Sequence, residues 1–171
     1  MKKILVVVDM QKDFVTGSLG TQEAEAIVPA VKERIESRIR EGLDVVFTRD
    51  THNQEYLKTQ EGKNLPVPHC IEGTDGWDII DVLKPYAAHL IDKPAFGSTE
   101  LVRFIKENQY DEVELIGVCT DICVVSNALL IKANLPEIQI IVDAACCAGV
   151  TPETHLAALK TMEMCQVTVN Y

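Results

Sequence analysis

The sequence predicts an α/β fold: a doubly wound, mainly parallel six-stranded sheet with helices on both faces, in a single domain spanning residues 1–171. Three observations predict it. Short apolar, β-branched runs alternate with amphipathic segments along the whole chain, the order of repeated strand–helix units. The strand candidates are continuously apolar rather than alternating, as strands covered on both faces are. No internal repeat, low-complexity tract or linker divides the chain.

Each element has its own reason. Ile4 to Val8 is a β-branched run that stops at Asp9, and Met10 to Thr21 holds Gly17, Gly20 and small polar residues, so it reads as a loop. Ala26 to Arg40 carries Ile27, Val28, Val31, Ile35 and Ile39 at helical spacing, with Pro29 in its first turn and Gly42 at its end. Val45-Val46-Phe47 is a second buried strand, ending at Thr48-Arg49-Asp50. From Thr51 to Gly76 there is no clear period, and so long an irregular stretch inside a domain is usually functional. Asp78 to Leu83 reads as a short helix, and His89 to Asp92 as a third strand ending at Lys93-Pro94. Ser98 or Thr99 caps a helix to about Asn108, with Leu101, Val102 and Ile105 inward. Asp111 to Ile116 is a fourth strand, followed by a helix from Val124 to Ala133. Glu137 to Val142 is a fifth strand ending at Asp143. Thr151-Pro152 opens a helix to about Met164, and Val167-Thr168-Val169 closes the chain as a strand.

Composition narrows the function classes. Hydrophobic residues make up 47% and charged residues 25%, the proportions of a soluble globular protein. With 16 Lys and Arg against 26 Asp and Glu the formal charge is −10, which argues against a phosphate-backbone partner. No apolar run approaches a membrane span. The start, Met1 to Val8, has a signal peptide's basic residues but an apolar run too short for one, so the expectation is a cytoplasmic chain. The six cysteines, at 70, 119, 123, 146, 147 and 165, then read as reduced thiols rather than a disulfide framework. Cys146, Cys147, His155 and Cys165 read as structural.

The stretch from Gly117 to Asn127 carries the chemistry. A strand leads into it and a helix leads out, with Thr120 or Asp121 as cap and Cys123 in the first turn. Helix dipole and free N–H groups there favour a thiolate and offer an oxyanion site. Taken alone, Cys123 could equally be a packed core thiol. Asp9 could tie down its loop, and Lys93 could be a solvated strand-end charge. Parallel strands with right-handed crossovers, however, put every strand's C-terminal end on one edge, where ligands bind. That edge gathers Asp9, Asp50 with His52, Lys93, Cys119 to Cys123, and Asp143. The convergence favours a nucleophile over a packed thiol.

Five motifs in order, Val8-Asp9-Met10-Gln11-Lys12-Asp13-Phe14, Asp50-Thr51-His52, Pro68-His69-Cys70, Lys93-Pro94-Ala95-Phe96 and Gly117 to Val124, resemble those of the isochorismatase-like cysteine hydrolases and, among these, the nicotinamidases. The resemblance covers nearly the whole chain. It implies a catalytic triad of Asp9, Lys93 and Cys123, and an oxyanion hole from the backbone N–H groups of Cys119 and Cys123 with a cis peptide before Cys119. Lys93 as an ammonium would favour the thiolate, and Asp9 would shuttle the proton between thiol and leaving amine. It also implies a divalent metal, zinc before iron or manganese, on Asp50, His52 and His69, with Glu61 as fourth ligand. Phe14 matches the substrate-stacking aromatic, with Phe96 or Trp77 as the opposite wall.

The implied activity is hydrolysis of nicotinamide to nicotinate and ammonia through a thioester, in pyridine nucleotide salvage, by a cytoplasmic homo-oligomer acting on a small amide without nucleic-acid or membrane partners. The sequence departs from the pattern at Thr51, where an aromatic usually stands, and no second His follows His52. Two alternatives stand beside this reading: a metal-free hydrolase of a ureido or carbamoyl amide, and a metal- or thiol-binding redox-responsive module using Cys119 and Cys123. Isochorismatase chemistry ranks lower because its enzymes do not use the cysteine.

Overall fold

The computed structural model describes all of residues 1–171. Six parallel strands form one sheet, β1 (Lys3–Val8), β2 (Asp44–Asp50), β3 (Leu90–Lys93), β4 (Glu112–Val118), β5 (Gln139–Ala148) and β6 (Thr168–Asn170), in the order β3-β2-β1-β4-β5-β6. The order reverses beside β1. The chain steps outward from β1 to β3, then returns to lay β4 against β1's other side. That leaves a crevice at the C-terminal ends of β1 and β4, where a doubly wound sheet takes its ligands.

The pleat of β1 divides the core. Ile4, Val6 and Val8 pack against α4 (Thr99–Glu107), α5 (Val125–Asn134) and α6 (Pro152–Met164). Leu5 and Val7 face the other way, onto α2 (Gln22–Arg40) and the buried Ile79, Ile80 and Leu83. The continuous apolar run of the sequence is thus buried on both sides, as expected.

Several boundaries differ from the sequence reading, each for a local reason. Helix α2 begins at Gln22, because Thr21 accepts from the N–H of Ala24 and Glu23 and Glu25 suit the positive end of the helix. Pro29 therefore lies inside the helix, not in its first turn, and one main-chain hydrogen bond is missing there. Within the expected loop after β1, Lys12–Val15 forms a one-turn helix, α1. Asp78 to Leu83 is not a helix; Ile79 bridges Gln11 in antiparallel fashion, between short 3₁₀ turns at Asp75–Trp77 and Lys84–Tyr86. A third such turn, Tyr56–Lys58, leads into α3 (Gln60–Asn64) within the irregular stretch.

Strand β5 does not stop at Asp143. It continues to Ala148, so Asp143, Cys146 and Cys147 lie within the strand and Asp143 is not at the ligand-binding edge. The register against β4 slips between Leu115 and Gly117 to take up the extra residues. Asp143 is tolerated in a buried strand because Arg34 of α2 pairs with it. Arg34 also reaches Glu114 on β4 at 3.3 Å, and Arg38 grips the same carboxylate at 2.6 Å through Nε and 3.1 Å through a terminal nitrogen. This cluster clamps α2 across two strands. At the base of the crevice Gly117 has φ +117°, and a Cβ there would lie 2.2 Å from the Val8 carbonyl oxygen, so only glycine lets β4 approach β1 so closely.

Breaking the clamp leaves two guanidinium groups without their shared buried partner. Glu114→Ala is expected to lower unfolding free energy by about 3 kcal/mol, read as a lower urea midpoint at unchanged slope. A change within error would mean that the cluster does not hold α2.

Candidate functional site

Three strand ends deliver three side chains to one point. Lys93 ends β3, Asp9 follows β1 with φ 49°, and Cys123 lies beyond β4, after a cis Val118–Cys119 peptide. The Lys93 ammonium stands 2.7 Å from Asp9 Oδ2 and 3.4 Å from Cys123 Sγ. It also donates to the Ala95 carbonyl at 3.1 Å and lies 3.4 Å from Asp50 Oδ1. Asp9 Oδ1 accepts from the Thr48 hydroxyl at 2.6 Å. All three groups are buried, Lys93 at 1% exposure, so each charge depends on its partners rather than on water.

Burial sets the protonation states. It pushes the Cys123 thiol well above its usual value, and the nearby Asp9 charge adds to this while Lys93 opposes it. It also raises Asp9, with Lys93 pulling the other way. Burial works against the Lys93 ammonium too, but Asp9, Cys123 and Asp50 outweigh it and keep the group firmly protonated. The resting site is therefore a thiol beside an ion pair, not the thiolate expected from the helix N-terminus. The expected cap is absent as well. A π-helical turn, Thr120–Val124, precedes α5; Thr120 bonds His155 Nδ1 at 2.8 Å, and Asp121 accepts from the Val150 N–H at 3.1 Å. Both side chains tie the turn to the segment after β5 instead of capping it. His155 is half-buried.

A second cluster adjoins the first. The donor atoms of Asp50, His52, Glu61 and His69 all lie within 4.8 Å of one another. His52 Nε2 is 2.8 Å from Asp50 Oδ2 and 3.7 Å from Glu61 Oε1; His69 Nε2 is 3.5 Å from each of those oxygens. Thr59 caps α3 through the Gly62 N–H, which fixes the turn that carries Glu61. His69 Nδ1 is engaged by the Val67 carbonyl at 2.8 Å, so Nε2 is the free nitrogen and faces the cluster. Two imidazoles with two carboxylates, convergent and mostly buried, suit a divalent cation such as zinc, iron or manganese.

Between the clusters is a cavity of about 240 Å³, below the range typical of drug-sized ligands. Cys123 and Cys119 line it together with Asp50, Glu61 and His69, so both clusters open onto one space. Phe14 and Phe96 are in its wall, Phe96 at 43% exposure near the mouth. Trp77 is not. Its ring lies under Arg49 at 3.7 Å, and its indole N–H donates to the Thr51 hydroxyl at 2.9 Å.

A family model for the isochorismatase domain matches residues 3–170. The chain belongs to the isochorismatase family. PncA of Bacillus subtilis (strain 168), an isochorismatase family protein, is 34% identical over 94% of this chain and 93% of its own. The nicotinamidase/pyrazinamidase of Mycobacterium tuberculosis (strain ATCC 25618 / H37Rv) is 28% identical over 96% of each chain. The crystal structure of Pyrococcus horikoshii pyrazinamidase in complex with zinc superposes with a TM-score of 0.86 at 28% identity, covering 99% of both chains.

Sequence reasoning about this isochorismatase domain missed the residues that shape the site without doing chemistry. Leu19, Thr21, Leu65, Ile122 and Val150 complete the cavity wall, and they come from segments with no periodicity to mark them. Tyr56, at 1% exposure, sets its ring 4.8 Å from that of His52 and 4.9 Å from that of His69 and donates to the Leu65 carbonyl. A lone Tyr in a polar loop gave no signal of this.

The thiol's environment makes a prediction that needs no substrate. Removing the Asp9 charge takes away an influence that raises Cys123, whereas removing the Lys93 charge takes away one that lowers it. Alkylation of Cys123 by iodoacetamide, followed by peptide mass spectrometry, is expected to shift to lower pH in Asp9→Asn and to higher pH in Lys93→Met. The same direction in both variants would contradict the arrangement.

Proposed function

We propose that residues 1–171 act as one hydrolase domain that converts nicotinamide to nicotinate and ammonia, with Asp9, Lys93 and Cys123 as catalytic residues. The observation that carries the reading is that Cys123, held beside Lys93 and Asp9, opens onto the same small, mostly apolar cavity as Asp50, Glu61 and His69 of the four-donor cluster. A pyridine ring with a carboxamide offers one hydrogen-bonding end for each cluster. The names of the matched relatives point the same way.

Substrate enters with its carbonyl carbon against Cys123 Sγ. The thiol proton passes to Asp9 as sulfur adds to that carbon, and the Lys93 ammonium, 3.4 Å from Sγ, stabilises the charge that develops on sulfur. The backbone N–H groups of Cys119 and Cys123 are assigned to the oxyanion. Asp9 then gives the proton to the amide nitrogen, the C–N bond breaks, and ammonia leaves behind a thioester. Water loses a proton to Asp9 and attacks the acyl carbon; the C–S bond breaks, and Cys123 recovers its proton from Asp9. Asp9, raised by burial, is suited to taking and returning that proton. Asp50, His52, Glu61 and His69 would hold the metal, zinc in this reading, whose chemistry is to bind the ring nitrogen and so orient the carboxamide.

No helix is long and apolar enough to cross a membrane. The reading includes a cytoplasmic enzyme of pyridine nucleotide salvage that works as a homo-oligomer, which light scattering on the purified protein would test.

The deciding experiment is ammonia release from nicotinamide by zinc-loaded protein. Cys123→Ala is expected to abolish it, and Asp9→Asn to lower kcat by roughly 10²–10⁴-fold. Activity is expected to fall with chelator and to return with zinc. Because Asp9 must be ionised to accept the thiol proton, kcat/KM is expected to fall with decreasing pH at a pH above that of an ordinary aspartate, 3.8. Turnover of another small amide with none of nicotinamide would refute the substrate and spare the triad; retained activity in Cys123→Ala would refute the mechanism.

A further inference from the structure

Gln11 and Asp13 lie on the short segment after β1, two and four residues beyond Asp9, and neither enters the chemistry above. Gln11 is fully buried. Its amide side chain pairs with the backbone of Asp50 as a neighbouring strand would: Nε2 donates to the Asp50 carbonyl at 2.9 Å, and Oε1 accepts from the Asp50 N–H at 2.7 Å. The second hydrogen of Nε2 goes to the Trp77 carbonyl at 2.8 Å. Two of the side chain's three bonds are thus made to Asp50, where β2 ends and the loop to His52 begins. Asp13 does the corresponding work on the other loop. Its Oδ2 accepts from the Cys70 N–H at 2.8 Å, directly after His69, where Cys70 has φ 47°. Room for that carboxylate exists only because residue 76 is glycine: a Cβ there would lie 2.3 Å from both Asp13 oxygens.

We propose that Gln11 and Asp13 are positioning residues for the metal, one fixing the loop that carries Asp50 and His52, the other the loop that carries His69. The two loops also pair with each other, His52 N–H to the Cys70 carbonyl at 3.0 Å and Glu72 N–H to the His52 carbonyl at 2.8 Å. That pairing would let them shift together. The segment after β1, which also carries Asp9, prevents this by anchoring each loop separately. Distances between metal donors and the catalytic carboxylate are thereby set by one stretch of chain. Outer contacts of this kind typically alter metal affinity by roughly 10–100-fold when lost.

The inference rests on the divalent metal of the proposed function, and its test reads the metal rather than turnover. Zinc-loaded protein is mixed with excess chromogenic chelator, and release is followed by absorbance, with affinity from competition at equilibrium. Gln11→Leu and Asp13→Ala are each expected to weaken zinc binding by roughly 10–100-fold. Asp13→Asn, which keeps an acceptor oxygen for the Cys70 N–H, is expected to retain zinc nearly as the unaltered protein does. Gly76→Ala, whose added Cβ would press on the Asp13 carboxylate, is expected to behave like Asp13→Ala. Thermal melting of the metal-free proteins guards against general loss of fold: the inference requires weak binding in variants whose metal-free forms melt as the unaltered protein does. Wild-type affinity in Gln11→Leu and Asp13→Ala, or Asp13→Asn no better than Asp13→Ala, overturns the inference and leaves the metal reading intact. If the unaltered protein itself takes up no zinc, the metal reading falls, and this inference with it.

Discussion

The Lys93 ammonium is the point on which the rest of the site depends. It is buried at the end of β3, 2.7 Å from one carboxylate and 3.4 Å from another, with the Cys123 sulfur also at 3.4 Å. A lone ammonium in such surroundings would cost several kcal/mol in lost hydration, and one carboxylate offsets this only with good geometry. Here two carboxylates share it. Asp9 supplies the close contact; Asp50 supplies a second charge through Oδ1 while its Oδ2 faces His52 and His69. Asp50 therefore belongs to both clusters, and a positive charge on either side of it stabilises the same anion. Lys93 couples thiol chemistry to the four-donor cluster through that shared group.

Such an arrangement contributes little to stability in its own right, because desolvation consumes most of what the ion pairs return. It persists because the scaffold is built to carry it. Strand β1 is buried from Ile4 to Val8 and divides two apolar cores, and Gly117 lets β4 lie close against it. Rigid strands thus fix the ends from which Asp9, Asp50 and Lys93 project. The polar clamp of Arg34, Arg38, Glu114 and Asp143 sits deeper in the same sheet and binds α2 over β4 and β5. It explains how β4 and β5 can each carry one of these buried acids without ending at it.

How much of this was legible in the sequence follows from which signals are local. Buried parallel strands write themselves as apolar runs, so all six were readable, and the chemistry-bearing residues stand out where those runs stop. Local signals failed where a distant partner decided the outcome. Asp143 looked like a strand end because its partner, Arg34, is on a remote helix. Pro29 looked like a helix start because the true start depends on Thr21 reaching Ala24. Thr120 and Asp121 looked like caps, but they bond to His155 and Val150, about thirty residues away. The protonation of Cys123 was misjudged for the same reason. Residue types suggested a thiolate, whereas complete burial beside Asp9 keeps the proton on sulfur.

That last difference has a chemical meaning. A permanent thiolate would be paired with Lys93 and stabilised before any substrate arrived, and the stabilisation would then oppose its attack. A thiol that ionises only as it adds to carbon leaves the ammonium free to stabilise the charge as it forms. The carboxylate that takes the proton must be basic enough to accept it from a thiol and still return it, and burial raises Asp9 towards that basicity. Leu19, Leu65, Ile122 and Val150 make the wall of the cavity mostly apolar, which limits the water that could average these balances away. Apart from Thr21, the polar lining belongs to the two clusters, so the cavity favours a mostly apolar molecule with a hydrogen-bonding group at each end. Shape and protonation thus lead to one kind of ligand, although neither could be read from the residues that line the cavity taken singly.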